Sequence, residues 1–324
     1  MGSKSKSFLS YEIFLLFLLM AFAATIGLIN PAFFSIGTLF DVIRNQTVYL
    51  LLAFGLLPMV IMGGLDISFV AIAAMVTFPA SILLIKIGYG GGMWLFYLFA
   101  MIVGIAVGLF IGWLIWTFKL AIFDLSLGMS SIIFGLLAFS SGSRTTSAPL
   151  PALVGWNQKW ILTVQSVAGQ SGLHVSFFLI VFIFLGLHLF LQYSTSGRAI
   201  YAVGSDKSVA IRTGIDVRKT ILIVFALMGT LAAVAGVTNA GLGFGNASFV
   251  GKFLRVYAMV IIGGASIHGG KGSVWGTILG VILVGLIDQS LVYLSIPTAW
   301  GDAVLGTIFL AFTTYQTLAN RLRK

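Results

Sequence analysis

The chain contains no cysteine. Disulfides, iron–sulfur clusters and thiolate metal sites are therefore excluded. Histidine is scarce: His174, His188 and His268 lie far apart, with no H-E-x-x-H and no close pair, so no metal site is expected. Charge is scarce too. Asp, Glu, Lys and Arg make up 8% of the 324 residues, against about 25% in a soluble domain. What fills the chain instead is apolar, 59% of residues with a mean hydropathy of +1.11. A β-barrel would alternate polar and apolar residues over strands of about ten. The apolar runs here are about twenty long and apolar on all sides, the length of a membrane-spanning helix. The expected fold is all-α: a polytopic integral membrane protein of about ten transmembrane helices, short or broken at glycine-rich turns.

Ten apolar segments are readable, at about 9–29, 46–63, 67–87, 93–117, 120–141, 173–192, 220–240, 253–264, 274–294 and 299–318. A short amphipathic stretch, "IGTLFDVIRNQ", precedes the second, and the eighth is too short to span unbroken. With the N-terminus inside and strict alternation, twelve Lys and Arg fall in inner segments and six in outer ones. That is the direction of the positive-inside rule, and it makes the net charge of +10 a matter of topology, not of nucleic-acid binding. The reading is one transmembrane domain over 1–324, with both termini inside. Residues 142–172 form an outer loop and 193–219 an inner one. Trp156 and Trp160 suggest that the outer loop lies as a helix on the membrane boundary, or docks an external partner. The first apolar run is read as a span, since it is long and lacks a small-residue cleavage site.

The inner loop is polar, basic and punctuated by glycine. Asp206–Arg212 predicts a short helix, with Ser205 or Asp206 as N-cap and Gly214 as terminator. Such a helix could receive force from a soluble motor or be a solvated connector, and periodicity does not choose between them. A second feature is a repeated phrase, "MVIMGGLDIS" at Met59–Ser68 and "MVIIGGASIH" at Met259–His268, identical at six of ten positions. Both copies are expected to end a helix at the inner side and turn tightly through their glycines into the next helix, capped by Asp66 and by Ser266. Gly276 and Gly280 are spaced for close helix contact. "ASIHGGKG", Ala265–Gly272, approaches a Walker A loop but lacks its first glycine and the hydroxyl after the lysine. This chain is therefore not expected to hydrolyse ATP.

Polar residues inside such a chain are candidates for function. Asp66 with Ser68, Gly63 and Gly64, the matching Gly263 and Gly264, Asn45 and Gln46 entering the second segment, and Asp288 form the candidate solute path or gate. Asp124 and Gln289 are further intramembrane polar residues. Helix capping is the competing role for Asp66, and interhelical bonding the competing role for Asp124, Asp288 and Gln289.

The stretch "GRAIYAVGSDKSVAIRTGIDVRK" resembles the cytoplasmic-loop signature of ribose-type permeases of ATP-binding-cassette importers, a group within the simple-sugar and branched-chain amino acid superfamily. "GGLDIS", "VIIGGASIHGGKGSVWGTILG" and "PAFFSIGTLFDVIRN" resemble three further phrases of that family, in the same order, so the likeness runs from about residue 30 to the end. It implies a non-catalytic subunit of the prokaryotic cytoplasmic membrane that moves a sugar-like or other small polar solute. It also implies a second permease (the same chain or a different one), two ATPase subunits that hold the ATP and Mg²⁺, and an external binding protein. No cofactor is implied in this chain. The ATPase-coupling residues would be Gly197, Arg198, Tyr201, Gly204, Asp206, Ala210, Arg212 and Gly214. The chain departs from the pattern before the eighth segment, where Lys252 and Arg255 replace an acidic phrase. An ion-coupled secondary transporter using the intramembrane carboxylates is the alternative.

Overall fold

The computed structural model describes residues 2–76, 89, 91–140, 155–166, 169–243, 249, 251–297 and 299–321. Its helices are α1 (Gly2–Ile29), α2 (Ile36–Ile61), α3 (68–76), α4 (Trp94–Phe118), α5 (Ile122–Ser140), α6 (Ser176–Tyr193), α7 (Thr195–Ser205), α8 (Lys207–Arg212), α9 (Val217–Gly241), α10 (Lys252–Ile262), α11 (Val274–Tyr293) and α12 (Trp300–Arg321). A 3₁₀ turn, Pro31–Phe34, joins α1 to α2. Seven of the helices are long and apolar enough to cross a membrane. The other expected segments correspond to α3, at the start of the third segment, to the eleven-residue α10 and to α12; residues 77–87 of the third segment lie outside the described residues.

The apolar runs sort by burial. Within their spanning windows α2, α9 and α11 are 78%, 72% and 61% buried, whereas α1 and α5 are 17% buried. The first three form the core and the others present apolar side chains outward, as a lipid-facing shell requires. Glycine sets the closest approach. A Cβ at Gly108 would collide with the Phe225 carbonyl, and those at Gly104 and Gly229 would each collide with the other's carbonyl. The backbones of α4 and α9 can therefore touch.

Three local expectations need correction. First, "IGTLFDVIRNQ" is no separate stretch but the first part of α2. The Ser35 hydroxyl accepts the Thr38 N–H at 3.1 Å and starts one continuous helix there. Second, the described part of the outer loop is a helical turn at 155–157 followed by an antiparallel hairpin, β1 (Trp160–Ser166) and β2 (Gly169–His174), and not a boundary helix. The run W-I-L-T-V carries the β-branched residues that favour a strand. Residues 141–154 of that loop lie outside the described residues. Third, the inner loop holds two helices, α7 and α8, where one was expected. The Ser194 hydroxyl accepts the Gly197 N–H at 2.8 Å and starts α7 at once after α6.

Chain direction follows from bonds between elements. Tyr11 Oη donates to the Ile262 carbonyl at 2.8 Å, and Ser273 Oγ donates to Glu12. Farther along, Asn30 Nδ2 donates to the Tyr293 carbonyl at 3.2 Å. So α1 and α11 run parallel and start at the end where α2 and α10 finish. The inner loop lies at that same end.

Candidate functional site

Both copies of the repeated phrase close a helix with the same hydrogen-bond pattern. After α2, Gly64 N–H reaches the Met59 carbonyl and Gly63 N–H the Val60 carbonyl, with Gly63 at φ +83°. After α10, Ala265 N–H reaches Val260 and Gly264 N–H reaches Ile261, with Gly264 at φ +93°. Each is a Schellman cap, whose left-handed residue favours glycine. The two are offset by one position, so the first glycine is left-handed in one copy and the second in the other.

The connection after the second cap then folds back onto the first. Gly270 N–H donates to the Ile61 carbonyl at 2.7 Å. A Cβ at Gly269 would lie 3.1 Å from Gly63 Cα and 2.5 Å from the Gly204 carbonyl. A Cβ at Gly204, near the end of α7, would collide with the Ile61 carbonyl and come within 2.8 Å of Gly270 N. Tyr201 Oη donates to the Gly272 carbonyl at 2.8 Å, and burial pushes that phenol up to about 12, which keeps it a donor. The inner loop is thus seated on the end of α2 and on the 269–272 segment that follows the second paired-glycine turn.

The loop's outer surface is built as the sequence indicates. Asp206 Oδ1 accepts the Ser208 hydroxyl and the N–H groups of Ser208 and Val209, at 2.7, 2.8 and 3.1 Å. Those bonds hold its carboxyl below the ordinary value, the Ser208 hydroxyl contributing most. Gly214, at φ +81°, ends α8, and Ile215 N–H returns to the Ala210 carbonyl. Ala210 is buried against the rest of the protein, while Val209 and Ile211 are 46% and 57% exposed, with Lys207 and Arg212 beside them. Arg198 is exposed and donates to the Tyr193 carbonyl. Gly197 is buried where a Cβ would lie 2.6 Å from the Leu191 carbonyl.

Asp66 is fully buried between Gly64 and α3. Its Oδ1 accepts the Ser68 N–H at 2.6 Å and the Ser68 hydroxyl at 2.7 Å, so it caps α3. Its Oδ2 has no hydrogen-bond partner among the described residues. The extended backbone around it is held by side chains: Tyr257 Oη accepts the Asp66 N–H at 2.6 Å and donates to the Asp66 carbonyl at 2.9 Å, and Ser126 Oγ accepts the Ile67 N–H at 3.1 Å. Ser266 does not play the matching part. It accepts the His268 N–H within a tight turn, and α11 is capped by Ser273, whose Oγ accepts the Gly276 N–H at 2.9 Å. Nine residues separate Gly264 from α11, so the second copy has no helix start beside its glycines. Gly276 and Gly280 instead press on Gly263, each leaving no room for a Cβ.

A cavity of about 580 Å³ lies at the opposite end of the helices, lined in part by Asn45, Gln46, Tyr49, Arg255, Asp288 and Asp302. Asn45 is sixteen residues before Ile61, about 24 Å along α2. Of the candidate path residues, Asn45, Gln46 and Asp288 line this cavity together, and Gln289 joins them. Asp66, Ser68, Gly63, Gly64, Gly263 and Gly264 instead belong to the turn region. Asp124 lies exposed in the first turn of α5. Tyr49, Asn239 and Asp302 line the cavity without having been singled out by sequence. Among the described residues no cluster of metal-ligating side chains is present.

Residues 38–313 match the family model described as the permease component of branched-chain amino acid transport systems. The chain is 28% identical over 307 residues to the autoinducer 2 import system permease protein LsrC of Yersinia enterocolitica, covering 94% of this chain and 81% of that one. It is also 28% identical over 302 residues to the protein of the same name from Yersinia pestis, covering 93% and 82%. No solved structure matches.

Proposed function

The chain belongs to the permease family of ATP-binding-cassette importers that includes the branched-chain amino acid and ribose types, and from that premise we propose that it carries a sugar-like solute inward across the cytoplasmic membrane. As a permease component it is a non-catalytic transport subunit of a multi-pass membrane protein type. Both termini face the cytoplasm, with the inner loop. The working assembly pairs it with a second permease, two ATPases docked on the 193–219 loops and a binding protein on the outer face. ATP-driven movement of α7 and α8 switches access to the cavity, which is the two-state element such coupling needs. Autoinducer 2, the solute in the names of the relatives, is the first to test.

One observation carries this reading. The inner loop exposes Val209 and Ile211 on a short, firmly capped helix, and its other side is seated on the end of α2 and on the 269–272 segment that leads into α11. An exposed apolar pair ringed by basic residues suits a protein partner. A rigid seat on two core helices suits the transmission of force. The test is co-purification of the chain with the ATPase subunit of its own importer. Val209→Asp with Ile211→Asp is expected to abolish the association while the permease stays monodisperse in detergent. Undiminished association would refute the docking role.

A further inference from the structure

Lys252 and Arg255 stand where the ribose-type pattern is acidic, and Arg255 is the centre of the cavity's polar wall. It projects from the first turn of α10. Its Nη2 donates to Asp288 Oδ1 at 2.8 Å and its Nη1 to Asp288 Oδ2 at 3.1 Å, a two-pronged pair with α11. Its Nε lies 3.4 Å from Asp302 Oδ1 on α12. Gln46 of α2 lines the cavity beside Asp288. Space for this join is reserved by glycine. A Cβ at Gly285 would lie 2.5 Å from Gln46 Cγ, and one at Gly301 would lie 3.2 Å from Arg255 Nη2.

The consequence is electrostatic. Among the described lining residues there are two cations, Lys252 and Arg255, and two carboxylates, Asp288 and Asp302. Both carboxylates face the same guanidinium. A half-buried carboxylate without its partner would hold a strong field in a cleft with low-dielectric walls, and such fields enrich ions of one sign. With Arg255 paired to Asp288 and Lys252 also in the lining, two cations balance two carboxylates. What remains open is Gln46 Oε1, on a residue only 3% exposed, an acceptor with no hydrogen-bond partner among the described residues.

We propose that Arg255 sets the charge selectivity of the cavity, balancing Asp288 and Asp302 together with Lys252, so that the cavity admits an uncharged, hydroxyl-bearing solute and discriminates against ions of either sign. This rests on the cavity being part of the solute path. Lys252 and Arg255 stand in a stretch where the ribose-type pattern is acidic, and here they face two carboxylates.

The absence of native cysteine gives a direct test. Asn45→Cys places a single thiol in the cavity wall of the full chain in lipid nanodiscs. Its reaction rates with cationic, anionic and uncharged hydroxyethyl methanethiosulfonates report the local field. In the otherwise native chain the uncharged reagent is expected to react fastest, relative to the rates with a free thiol. Adding Arg255→Gln is expected to raise the cation-to-anion rate ratio by about tenfold or more, within the range that charge-lined clefts produce. Adding Asp288→Asn to that variant returns the ratio towards its starting value, and Asp288→Asn alone, should Arg255→Gln not fold, moves it the other way. Ratios that do not move overturn the assignment. The path reading is checked separately, by capping Asn45→Cys with a bulky maleimide in the assembled importer. Lost binding-protein-stimulated ATP turnover supports it. Undiminished turnover refutes the path, and with it the selectivity, even where the rate ratios have moved.

Discussion

Gly270 donates its backbone N–H to the carbonyl of Ile61 at 2.7 Å, a bond between the connection that follows the second paired-glycine turn and the end of the helix that carries the first. Gly204 of α7 sits on that bond, with no room for a side chain. A leucine at Gly204 has to part the inner loop from the end of α2 and from Gly270, because its Cβ would meet backbone atoms and not a side chain that can swing away. Gly204→Leu is expected to reduce binding-protein-stimulated ATP turnover of the reconstituted importer by about tenfold or more, within the range of allosteric coupling energies. Unstimulated turnover and membrane insertion should persist. Normal stimulation would mean that the join does not transmit.

Tyr257 is the second lever. Its hydroxyl serves both the N–H and the carbonyl of Asp66, and its ring meets Phe69 of α3 edge-on at 6.2 Å. Tyr257→Phe keeps the ring and leaves two buried backbone groups without partners. The expected loss is about 1–3 kcal/mol for the donor alone, seen as a lower Tm in detergent. Ser126→Ala, which removes the bond to the Ile67 N–H, is the comparison. Both should lower Tm, and a Tyr257→Phe protein as stable as the parent would exclude the clamp.

Parts of this arrangement are legible in the sequence. The Asp206 cap and the Gly214 terminator follow from local turn chemistry, which acts over four or five residues and needs no tertiary information. Asn45, Gln46 and Asp288 stand out because polar groups are rare in apolar helices. Asp302 does not, since at the start of α12 it reads as an ordinary helix-terminal acid; only the fold brings it to Arg255, 47 positions earlier. The one-residue offset between the two paired-glycine turns is hidden as well, because the phrases are nearly identical. It arises from where each helix runs out of backbone partners. Ser266 misleads for the same reason: it aligns with Asp66, but the longer connection after Gly264 moves the helix start to Ser273.

Asp66 divides its two oxygens between different environments, which makes its variants informative. Oδ1 carries the cap of α3 and Oδ2 is buried with no hydrogen-bond partner among the described residues. Asp66→Ala removes the cap and is expected to cost about 1 kcal/mol. Asp66→Asn keeps an acceptor at Oδ1 and is expected to be at least as stable as the parent, because it also removes a charge from a fully buried place. Thermal unfolding of both variants checks the order, and concentration dependence of uptake should be the same for all three proteins. A raised half-saturation concentration in Asp66→Asn would instead make the carboxylate a solute contact.

The outer hairpin is expected to loosen in acid. His174 is buried at the end of β2, where its Nδ1 accepts the Ser176 N–H at 3.2 Å. That bond assigns the proton to Nε2, which then donates to the Trp156 carbonyl at 2.8 Å. Burial lowers the pKa of this imidazole below the ordinary 6.5, and the Arg44 charge adds to the shift. A second proton would have to go on Nδ1, facing the Ser176 N–H. Because the folded value is the depressed one, the contribution to stability is complete above pH 6.5 and is lost as pH falls through the lower folded value. The amide protection factors of β1 and β2, corrected for the intrinsic slowing of exchange in acid, should therefore fall on acidification below that point. His174→Gln keeps one donor and one acceptor without titrating, and is expected to flatten the dependence. Arg44 ties the same hairpin to α2 by donating to Asn157 Oδ1 at 2.9 Å and lying 5.0 Å over the Trp160 ring. Because Arg44 immediately precedes the cavity residues Asn45 and Gln46, acid-driven loosening is expected to reach the cavity mouth. A thiol at Asn45→Cys should then react faster at low pH, after correction for its own ionisation, and His174→Gln should abolish that increase.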